Sequence, residues 1–512
     1  MKEESTSRKV VRNTLFNYLA VFSITLIRFV AMPVIIHGLG NDRYGIYATI
    51  LSIVGYVGLL DLGIGLSLTK FVAEYQARRD HQSLAEFLST ALLLYIVLGI
   101  TGAAVLLGGS EFLVRRLFQI PEPLWGEARQ VLWISAVSLF NGLVFGIFGN
   151  LLNGLQRQDI SRLISIGNTL LTYSGAILLI RLGYGLVGFV LFCAAVDLSS
   201  FLLQMAITKR MVPSIPFFPR YFKIERMHQI LNFSFAMFVN QLAVRNMGSL
   251  DKLILGIFLP VSNVTLYSVG FTLTNLCFRI PAAAVLASMP AASELKAKDR
   301  MEAVQELVLR GIKYTGLLAV PVFTLVGVLA PALVELWMGA GYEDSARVVQ
   351  LLMVGYFWLV LASSGMSVMV GIGKPYVNTF YAVAQIGLCT CLTVLMVRLH
   401  GLIGAAAGSG IAYLIGGITY LVHSTLIFRI PFSRLVNRAI LCKVLLLSLP
   451  GILLWALSSH HPPRGVLEIL LQSGLFGILY SFLVARYLID DYDIAKIAVI
   501  LPAVRYLSFL RG

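Results

Sequence analysis

The sequence predicts an all-α protein that crosses a membrane about fourteen times. Of its 512 residues, 58% are hydrophobic and 13% are charged, and the mean hydropathy is +0.84. A soluble domain carries about 25% charged residues, roughly twice this share. The apolar runs are about 20–27 residues long. That length suits helices across a bilayer, whereas a β-barrel would show alternating segments of about ten residues.

Fourteen apolar runs follow one another along the chain, separated by short polar turns. We interpret each run as one membrane-spanning helix, and no turn is long enough to hold a separate globular domain. The runs lie at about 14–38, 45–69, 86–108, 130–154, 161–181, 184–208, 231–256, 262–287, 312–337, 347–370, 376–398, 402–427, 440–458 and 466–487.

Lysine and arginine are distributed asymmetrically over the turns. If the amino terminus is cytoplasmic and the runs alternate in direction, 28 of the 40 Lys and Arg residues fall in inner segments, 8 in outer segments and 4 within or near the membrane. This bias follows the positive-inside rule and predicts that both termini are cytoplasmic. The same bias explains the formal net charge of +15, so we expect no nucleic-acid partner.

A weak internal repeat relates two halves of the chain at a spacing of about 220 residues. The stretch GIYATILSIVGYVGLL at Gly45–Leu60 aligns with LYSVGFTLTNLCFRIP at Leu266–Pro281. Two parallel halves of six helices are typical of transporters that open a central site alternately to each side of the membrane. The predicted division is 1–208 for the first lobe, 209–230 for a basic cytoplasmic linker, 231–428 for the second lobe, and 429–512 for spans 13 and 14 with a cytoplasmic tail.

Two arginines occupy similar positions in the first helix of each predicted half. Arg28 lies near the middle of the first run and Arg245 near the middle of the seventh. A charge at this depth costs about 2.5–3.5 kcal/mol on insertion scales, so it is tolerated where it faces protein or water. Each arginine either forms a buried pair with an aspartate or faces a water-filled pathway. We expect the second arrangement because the cations outnumber the acids; Lys252 and Arg279 complete the predicted cationic set.

Three aspartates lie within the predicted spans: Asp61, Asp197 and Asp251. Each is a candidate for ion coupling or for structural pairing with a nearby cation. Because the four cations exceed these acids, the pathway suits an anionic group such as a phosphate or pyrophosphate. A transporter of cationic drugs would present acids instead.

No pattern in the sequence predicts an enzyme, a metal site or a cofactor. There is no Walker A motif, and none of the seven histidines belongs to an HExxH motif. The five cysteines lie within or at the edges of apolar runs, without the spacing of metal ligands. We therefore expect no catalytic residue, no metal and no cofactor.

Several stretches carry a family resemblance. The segments NTLFNYLAV, MPVIIHGLGNDRYGIYATI and GLLDLGIGLSLTKFVAEY resemble the amino-terminal signature of bacterial polysaccharide transporters. These are the O-antigen and exopolysaccharide flippases of the multidrug/oligosaccharidyl-lipid/polysaccharide exporter superfamily. PVFTLVGVLAPALVELWMGAGYEDSARVVQLL is similar to the ninth-span region of that family. The resemblance covers nearly the whole chain in order and length, and it identifies the family better than the substrate.

The resemblance implies two six-helix lobes around a central cationic cavity, with two additional carboxy-terminal helices. It also implies export of an undecaprenyl-pyrophosphate-linked oligosaccharide to the outer leaflet of the bacterial inner membrane, by alternating access coupled to an ion gradient. Cavity cations are a feature of the family, and Arg28 and Arg245 are the positions here that match it. The expected partners are this lipid-linked substrate, membrane lipids and a polysaccharide polymerase, and the expected functional unit is a monomer.

Three other functions stay open at this point. A small-molecule antiporter of the same superfamily is disfavoured by the cationic bias. A flippase for peptidoglycan precursors shares the chemistry of the lipid carrier and is a close alternative. A membrane glycosyltransferase or polymerase would need a sizeable outer loop with catalytic residues, and the sequence contains no such loop.

Overall fold

The structure is a computed structural model that describes residues 6–213, 221–245, 248–285, 288–431, 433, 438–463 and 465–488. Within these ranges the chain is almost entirely helical and contains no β-strand. The all-α class predicted from composition and run length is confirmed. The chain divides into two compact units, Met1–Ser268 and Val269–Gly512. The lobe boundaries predicted from the sequence are not tested by this division and stay a prediction.

The first unit is built from long helices joined by short turns. Its helices are α1 (Thr6–Leu39), α2 (Asn41–Val57), α3 (Ile64–Arg78), α4 (His81–Phe112), α5 (Trp125–Gly154), α6 (Gln158–Arg181), α7 (Gly185–Met211), α8 (Ile224–Arg245) and α9 (Ser249–Phe258). Helix α10 (Val261–Ala283) begins in this unit and continues into the second. Helix α5 packs against both α4 and α7, while α1 packs mainly against α6.

The second unit continues the same architecture. After α10 it contains α11 (Ser288–Ala297), α12 (Met301–Met338), α13 (Glu343–Gly371), α14 (Pro375–Ile427), α15 (Arg438–His460) and α16 (Val466–Tyr487). Helix α14 is broken in the middle, because His400 and Gly401 have non-helical backbone angles. This break separates the two spans that the sequence predicts at 376–398 and 402–427.

The helix boundaries repeat at the spacing found in the sequence. Helix α2 begins at Asn41 and α10 at Val261, while α4 begins at His81 and α12 at Met301; each pair is 220 residues apart. The second helix of each half is interrupted at a similar place. In the first half, Leu62 and Gly63 adopt left-handed angles (φ 49° and 81°) between α2 and α3. In the second half, the break lies between α10 and α11.

Eleven of the described helical segments are long and apolar enough to cross a membrane, and Leu446–His460 is a shorter apolar helix. The predicted total of fourteen spans is not confirmed by this number. Large apolar side chains cover the outer faces of the helices: Phe22, Phe380 and Ile478 are 69%, 69% and 71% exposed. Apolar surface this extensive would be unstable in water and is expected where a protein contacts lipid.

In the turn before α4, the side chain of Asp80 provides a hydrogen-bond partner for a backbone amide at the start of the helix. The carboxylate of Asp80 accepts a hydrogen bond from the backbone amide of Ser83 (2.9 Å). Hydrogen bonds from the side chain and backbone of Ser83 lower the pKa of Asp80. The residue is an N-cap that provides a partner for an otherwise unpaired helix amide.

A close contact between α2 and the start of α10 generates a prediction. A Cβ atom on Gly45 would lie 2.0 Å from the carbonyl oxygen of Val261, whereas a Cβ on Gly55 of the same helix would meet nothing within 4 Å. We expect Gly45→Ala to lower the melting temperature of the purified protein, because overpacking costs about 1–3 kcal/mol. The matched variant Gly55→Ala should be neutral or slightly stabilising, since alanine favours helix over glycine. Equal melting temperatures for the two variants would contradict this packing.

Candidate functional site

Arg28 lies close to the centre of the first membrane-spanning segment. The apolar segment of α1 is Leu19–Leu39, so Arg28 is one residue from its midpoint. Its side chain is exposed. Contact of a guanidinium with acyl chains at this depth would be costly, and arginine does not lose its proton in proteins. The exposed face of α1 around Arg28 is therefore expected to contact water or a polar ligand.

Helices α6 and α7 place a polar network beside this arginine. The side-chain amide of Asn168 on α6 donates hydrogen bonds to Oδ1 of Asp197 (2.9 Å) and to Oγ of Ser200 (2.9 Å), both on α7. The hydroxyl of Thr172, one turn further along α6, donates to Oδ1 of Asn168 (3.1 Å). Asp197 is itself exposed. The network fixes the orientation of its carboxylate near the middle of α7.

The guanidinium of Arg28 interacts with polar groups of α6 and α7 without forming a salt bridge to any described residue. The hydroxyl of Tyr173 on α6 interacts electrostatically with Arg28. Asp197 attracts the guanidinium electrostatically, but Arg28 forms no ion pair within 4.0 Å in the part of the chain that the structure describes. A buried Arg–Asp pair, the structural alternative considered from the sequence, is therefore absent at this position among the described residues.

Two further tyrosines, Tyr44 and Tyr47 on α2, interact electrostatically with Arg28. Their rings are fixed by packing, because the centroids of Tyr44 and Tyr47 are 5.9 Å apart and that of Tyr47 lies 5.0 Å from the ring of Phe189 on α7. We call Arg28, Tyr44, Tyr47, Tyr173 and Asp197 the Arg28 cluster. All five residues belong to the first unit.

The Arg28 cluster combines one permanent cation with neutral hydroxyl groups. A guanidinium binds phosphate through two parallel N–H···O bonds, and such charge-assisted bonds are roughly twice as strong as neutral ones. An unpaired arginine at mid-membrane depth is therefore able to bind an anionic group. The nearby Asp197 weakens that attraction and can make anion binding reversible.

The other predicted cations are placed differently. Arg245 is the last residue of α8, and its side chain falls outside the described residues. Lys252 on α9 is attracted by its neighbour Asp251. Asp251 is buried and accepts a hydrogen bond from the hydroxyl of Tyr267 (2.5 Å). Arg279 in the second unit is exposed and donates to Oδ1 of Asn275 (2.8 Å).

Asp61 occupies the break between α2 and α3. Its Oδ1 accepts hydrogen bonds from the hydroxyl of Tyr95 (2.5 Å) and from the backbone amide of Gly65 (3.3 Å). The carboxylate thus provides a partner for the amino-terminal turn of α3. These contacts describe a structural role for Asp61, while its part in ion coupling stays a prediction.

A charge cluster around the buried Glu86, which the sequence reasoning missed, lies at the start of α8. Glu86 on α4 is 5% exposed and forms ion pairs with Lys223 (2.6 Å) and Arg226 (3.3 Å). Arg226 also donates to the hydroxyl of Tyr75 on α3 (2.9 Å). These charges pair with one another and hold α8 against α3 and α4, so we assign them to stability.

The tyrosines and Asn168 were also missed, since Tyr and Asn are common in membrane helices and only their position relative to Arg28 distinguishes them. Among the described residues, no group of three or more His, Cys, Asp or Glu side chains could hold a metal ion.

Comparisons with known proteins agree with this architecture. The family described as "Polysaccharide biosynthesis protein" matches residues 10–296. A putative O-antigen transporter of Shigella flexneri is 23% identical over 407 residues, which is 78% of this chain and 93% of that protein. The succinoglycan biosynthesis transport protein ExoT of Rhizobium meliloti is 21% identical over 495 residues, 93% of each chain. The solved structure of the lipid II flippase MurJ, in an inward closed conformation, has a TM-score of 0.75 at 14% identity and covers 92% of this chain and 98% of that chain.

The contrast between Arg28 and Glu86 generates a prediction about stability. We expect Arg28→Ala to leave the melting temperature of the purified protein close to that of the wild type, because Arg28 is exposed and lacks an ion pair among the described residues. Glu86→Ala should lower it clearly, since it breaks two ion pairs of a buried carboxylate, a loss of about 1–3 kcal/mol. A thermal shift assay in detergent measures both. If Arg28→Ala destabilises the protein as much as Glu86→Ala, the guanidinium is structural.

Proposed function

Because the chain belongs to the polysaccharide biosynthesis protein family, we propose that it is a flippase that moves a lipid-linked oligosaccharide across the membrane. Two relatives that match most of its length are named transporters of O-antigen and succinoglycan. The observation that carries the proposal is the exposed Arg28 at mid-span, without an ion pair among the described residues. A site of this kind suits the anionic junction between a lipid carrier and its glycan.

The proposed substrate is an undecaprenyl-pyrophosphate-linked repeat unit of O-antigen or exopolysaccharide. We propose that the protein moves it from the inner to the outer leaflet of a bacterial cytoplasmic membrane, with both termini of the chain in the cytoplasm. The excess of Lys and Arg in the predicted inner segments supports this orientation. A monomer is sufficient for the mechanism, and a polysaccharide polymerase would use the product on the outer side.

In the proposed mechanism, Arg28 binds the pyrophosphate while the lipid tail stays in the bilayer. The guanidinium replaces part of the water that the phosphates lose when they leave the membrane surface. The site then opens to the other side, and the headgroup is released. Arg245, Lys252 and Arg279 are the proposed additional cations along the pathway, and Asp61, Asp197 and Asp251 are proposed for ion coupling or structural pairing.

Among the three aspartates, Asp197 is the best placed for coupling. It is exposed and lies in the electrostatic field of Arg28. When Asp197 is ionised, it competes with the substrate for the guanidinium, and when it is protonated this competition ends. Uptake of an ion at Asp197 would therefore change the affinity of Arg28 for phosphate.

A peptidoglycan-precursor flippase is the second candidate. It is favoured by the likeness in fold to the lipid II flippase MurJ, which extends over nearly the whole chain. At 14% identity this likeness concerns the fold alone. The names of the relatives and the family match favour the polysaccharide substrate.

Export measurements test the role of Arg28. In a strain that depends on this protein for its surface polysaccharide, we expect Arg28→Ala to reduce export to about a tenth or less, because a charge-assisted hydrogen bond contributes about 1.5–3 kcal/mol. Arg28→Lys should restore export only in part, since an ammonium keeps the charge but not the two-pronged geometry. Lipid-linked oligosaccharide should accumulate on the cytoplasmic side in both variants.

The matched control is Arg115→Ala. Arg115 is also exposed but forms an ion pair with Glu111 (2.6 Å) at the end of α4, so its removal should leave export unchanged. Surface polysaccharide at the wild-type level in the Arg28→Ala strain, with normal membrane insertion of the protein, would exclude the proposed site.

A further inference from the structure

Arginine and tryptophan side chains come together where α4 is connected to α5. This connection lies on the side of the membrane that the distribution of Lys and Arg predicts to be outer. Three of the eight basic residues predicted on that side lie in or next to this connection: Arg115, Arg116 and Arg129. Outer segments are generally poor in basic residues, so this concentration indicates a local role for the charges.

Two of these arginines share a single acid. Nε of Arg115 lies 2.6 Å from Oε1 of Glu111, and Nη1 of Arg129 lies 3.5 Å from Oε2 of the same carboxylate. The first distance is that of a strong charge-assisted hydrogen bond, whereas the second is longer than most hydrogen bonds. Arg129 is therefore the more weakly compensated of the two cations.

Neighbouring charges do not remove the excess of positive charge. Glu127 is bound by Arg43 through two hydrogen bonds of 2.8 Å. Arg116 and Glu122 are both exposed, and their opposite charges balance in the count. The two guanidiniums that share Glu111 therefore keep one positive charge in excess, which equals in size the single negative charge of a phosphodiester.

Two tryptophans fix the positions of the two guanidiniums. That of Arg115 lies 5.1 Å from the ring centroid of Trp125. That of Arg129 lies 5.3 Å from the ring centroid of Trp133. The indole of Trp133 in turn donates a hydrogen bond to Oγ of Ser110 on α4 (3.3 Å). Cation–π attraction holds a guanidinium without using its N–H groups as hydrogen-bond donors to the ring. We call Glu111, Arg115, Trp125, Arg129 and Trp133 the outer arginine cluster.

The surroundings of the outer arginine cluster indicate a lipid. The cluster lies where two membrane-spanning segments end, His81–Leu117 and Glu122–Gly154, which is the depth of the headgroups. Tryptophan is enriched at this depth in membrane proteins. Deeper along the two helices, Val105 and Val137 are 59% and 57% exposed. Trp133 and Val137 are four residues apart and share one face of α5. A ligand with an anionic head and an apolar tail fits such a surface, whereas a free anion would leave its apolar part unused.

We propose that the outer arginine cluster binds the headgroup phosphate of an anionic phospholipid in the outer leaflet. Arg129 and Arg115 each donate to one of the two free oxygens of the phosphodiester, and an acyl chain lies along the apolar face of α5. A headgroup that also carries an ammonium group binds more weakly, because the guanidiniums repel the ammonium. This site is separate from Arg28, so the inference does not depend on the proposed transport function.

Native mass spectrometry of the full-length protein in detergent tests this inference. Phosphatidylglycerol is the anionic probe and phosphatidylcholine the zwitterionic one, and the fraction of protein with one bound lipid gives each affinity. We expect the wild type to bind phosphatidylglycerol more tightly. Arg129→Ala should lower that affinity about tenfold, since it removes a charge-assisted hydrogen bond, and should leave the affinity for phosphatidylcholine unchanged.

Glu111→Gln provides a second test that does not depend on the stability of the Arg129 variant. It removes the negative charge that competes with the phosphate, so the affinity for phosphatidylglycerol should rise. A purely structural role of Glu111 would give no such rise. The matched control is Arg181→Ala, because Arg181 is an exposed residue at the end of α6 on the same predicted side but outside the cluster. It should bind both lipids as the wild type does.

Three results would overturn the inference. The first is equal affinity of the wild type for the two lipids. The second is an unchanged affinity for phosphatidylglycerol in both Arg129→Ala and Glu111→Gln. The third is displacement of phosphatidylglycerol by an equal concentration of inorganic phosphate, which would show that the cluster recognises a free anion rather than a lipid.

Discussion

A permanent positive charge at the middle of a membrane-spanning helix is the constraint on which the site depends. Arg28 cannot become neutral to lower the cost of its position. The surrounding helices provide polar groups for this charge. Tyr173 and Asp197 interact electrostatically with the guanidinium, and Asn168 orients the carboxylate of Asp197. Such groups would be unfavourable next to lipid. Their concentration where α1, α6 and α7 pack together therefore indicates a polar, hydrated environment.

The molecule contains two kinds of charge with different consequences. Glu86 is buried and carries two cationic partners, so its removal leaves uncompensated charge and lowers stability. Arg28 is exposed and lacks such a partner among the described residues, so its charge is available for binding. The same physical rule, that a charge in low dielectric must find an opposite charge or a polar environment, explains both. A charge whose opposite charge belongs to the protein, such as Glu86, stabilises the fold. A charge without such a partner among the described residues, such as Arg28, can bind a ligand.

The interruptions in the helices recur in both halves of the chain. The breaks after α2 and after α10 follow starts that are 220 residues apart, and α8 and α9 divide a predicted single span. A continuous helix is stiff, whereas left-handed residues such as Leu62 and Gly63 let successive segments change direction. A transporter that opens alternately to two sides needs such points of bending. The repeat thus includes the places where the helices are interrupted as well as the positions where they begin.

The sequence by itself determined the class of protein, the family and the presence of a charge at mid-span. Hydropathy and run length are local properties, so a helical membrane protein is recognisable without knowing how its helices pack. The family predicted from the stretches around 13–75 agrees with the match over 10–296. Arg28 was identifiable because a single charge within an apolar run is visible in the sequence.

Only the tertiary structure decided which side chains meet at that charge. Tyr44, Tyr173 and Asp197 lie on three different helices, and no periodicity within one helix shows that they face the same arginine. The structure also placed Asp251 beside the hydroxyl of Tyr267 and Asp61 beside that of Tyr95, contacts that the sequence left open. The physical reason is that membrane helices associate through packing and polar contacts between distant segments. These contacts depend on how each helix is rotated and packed, which a hydropathy profile does not show.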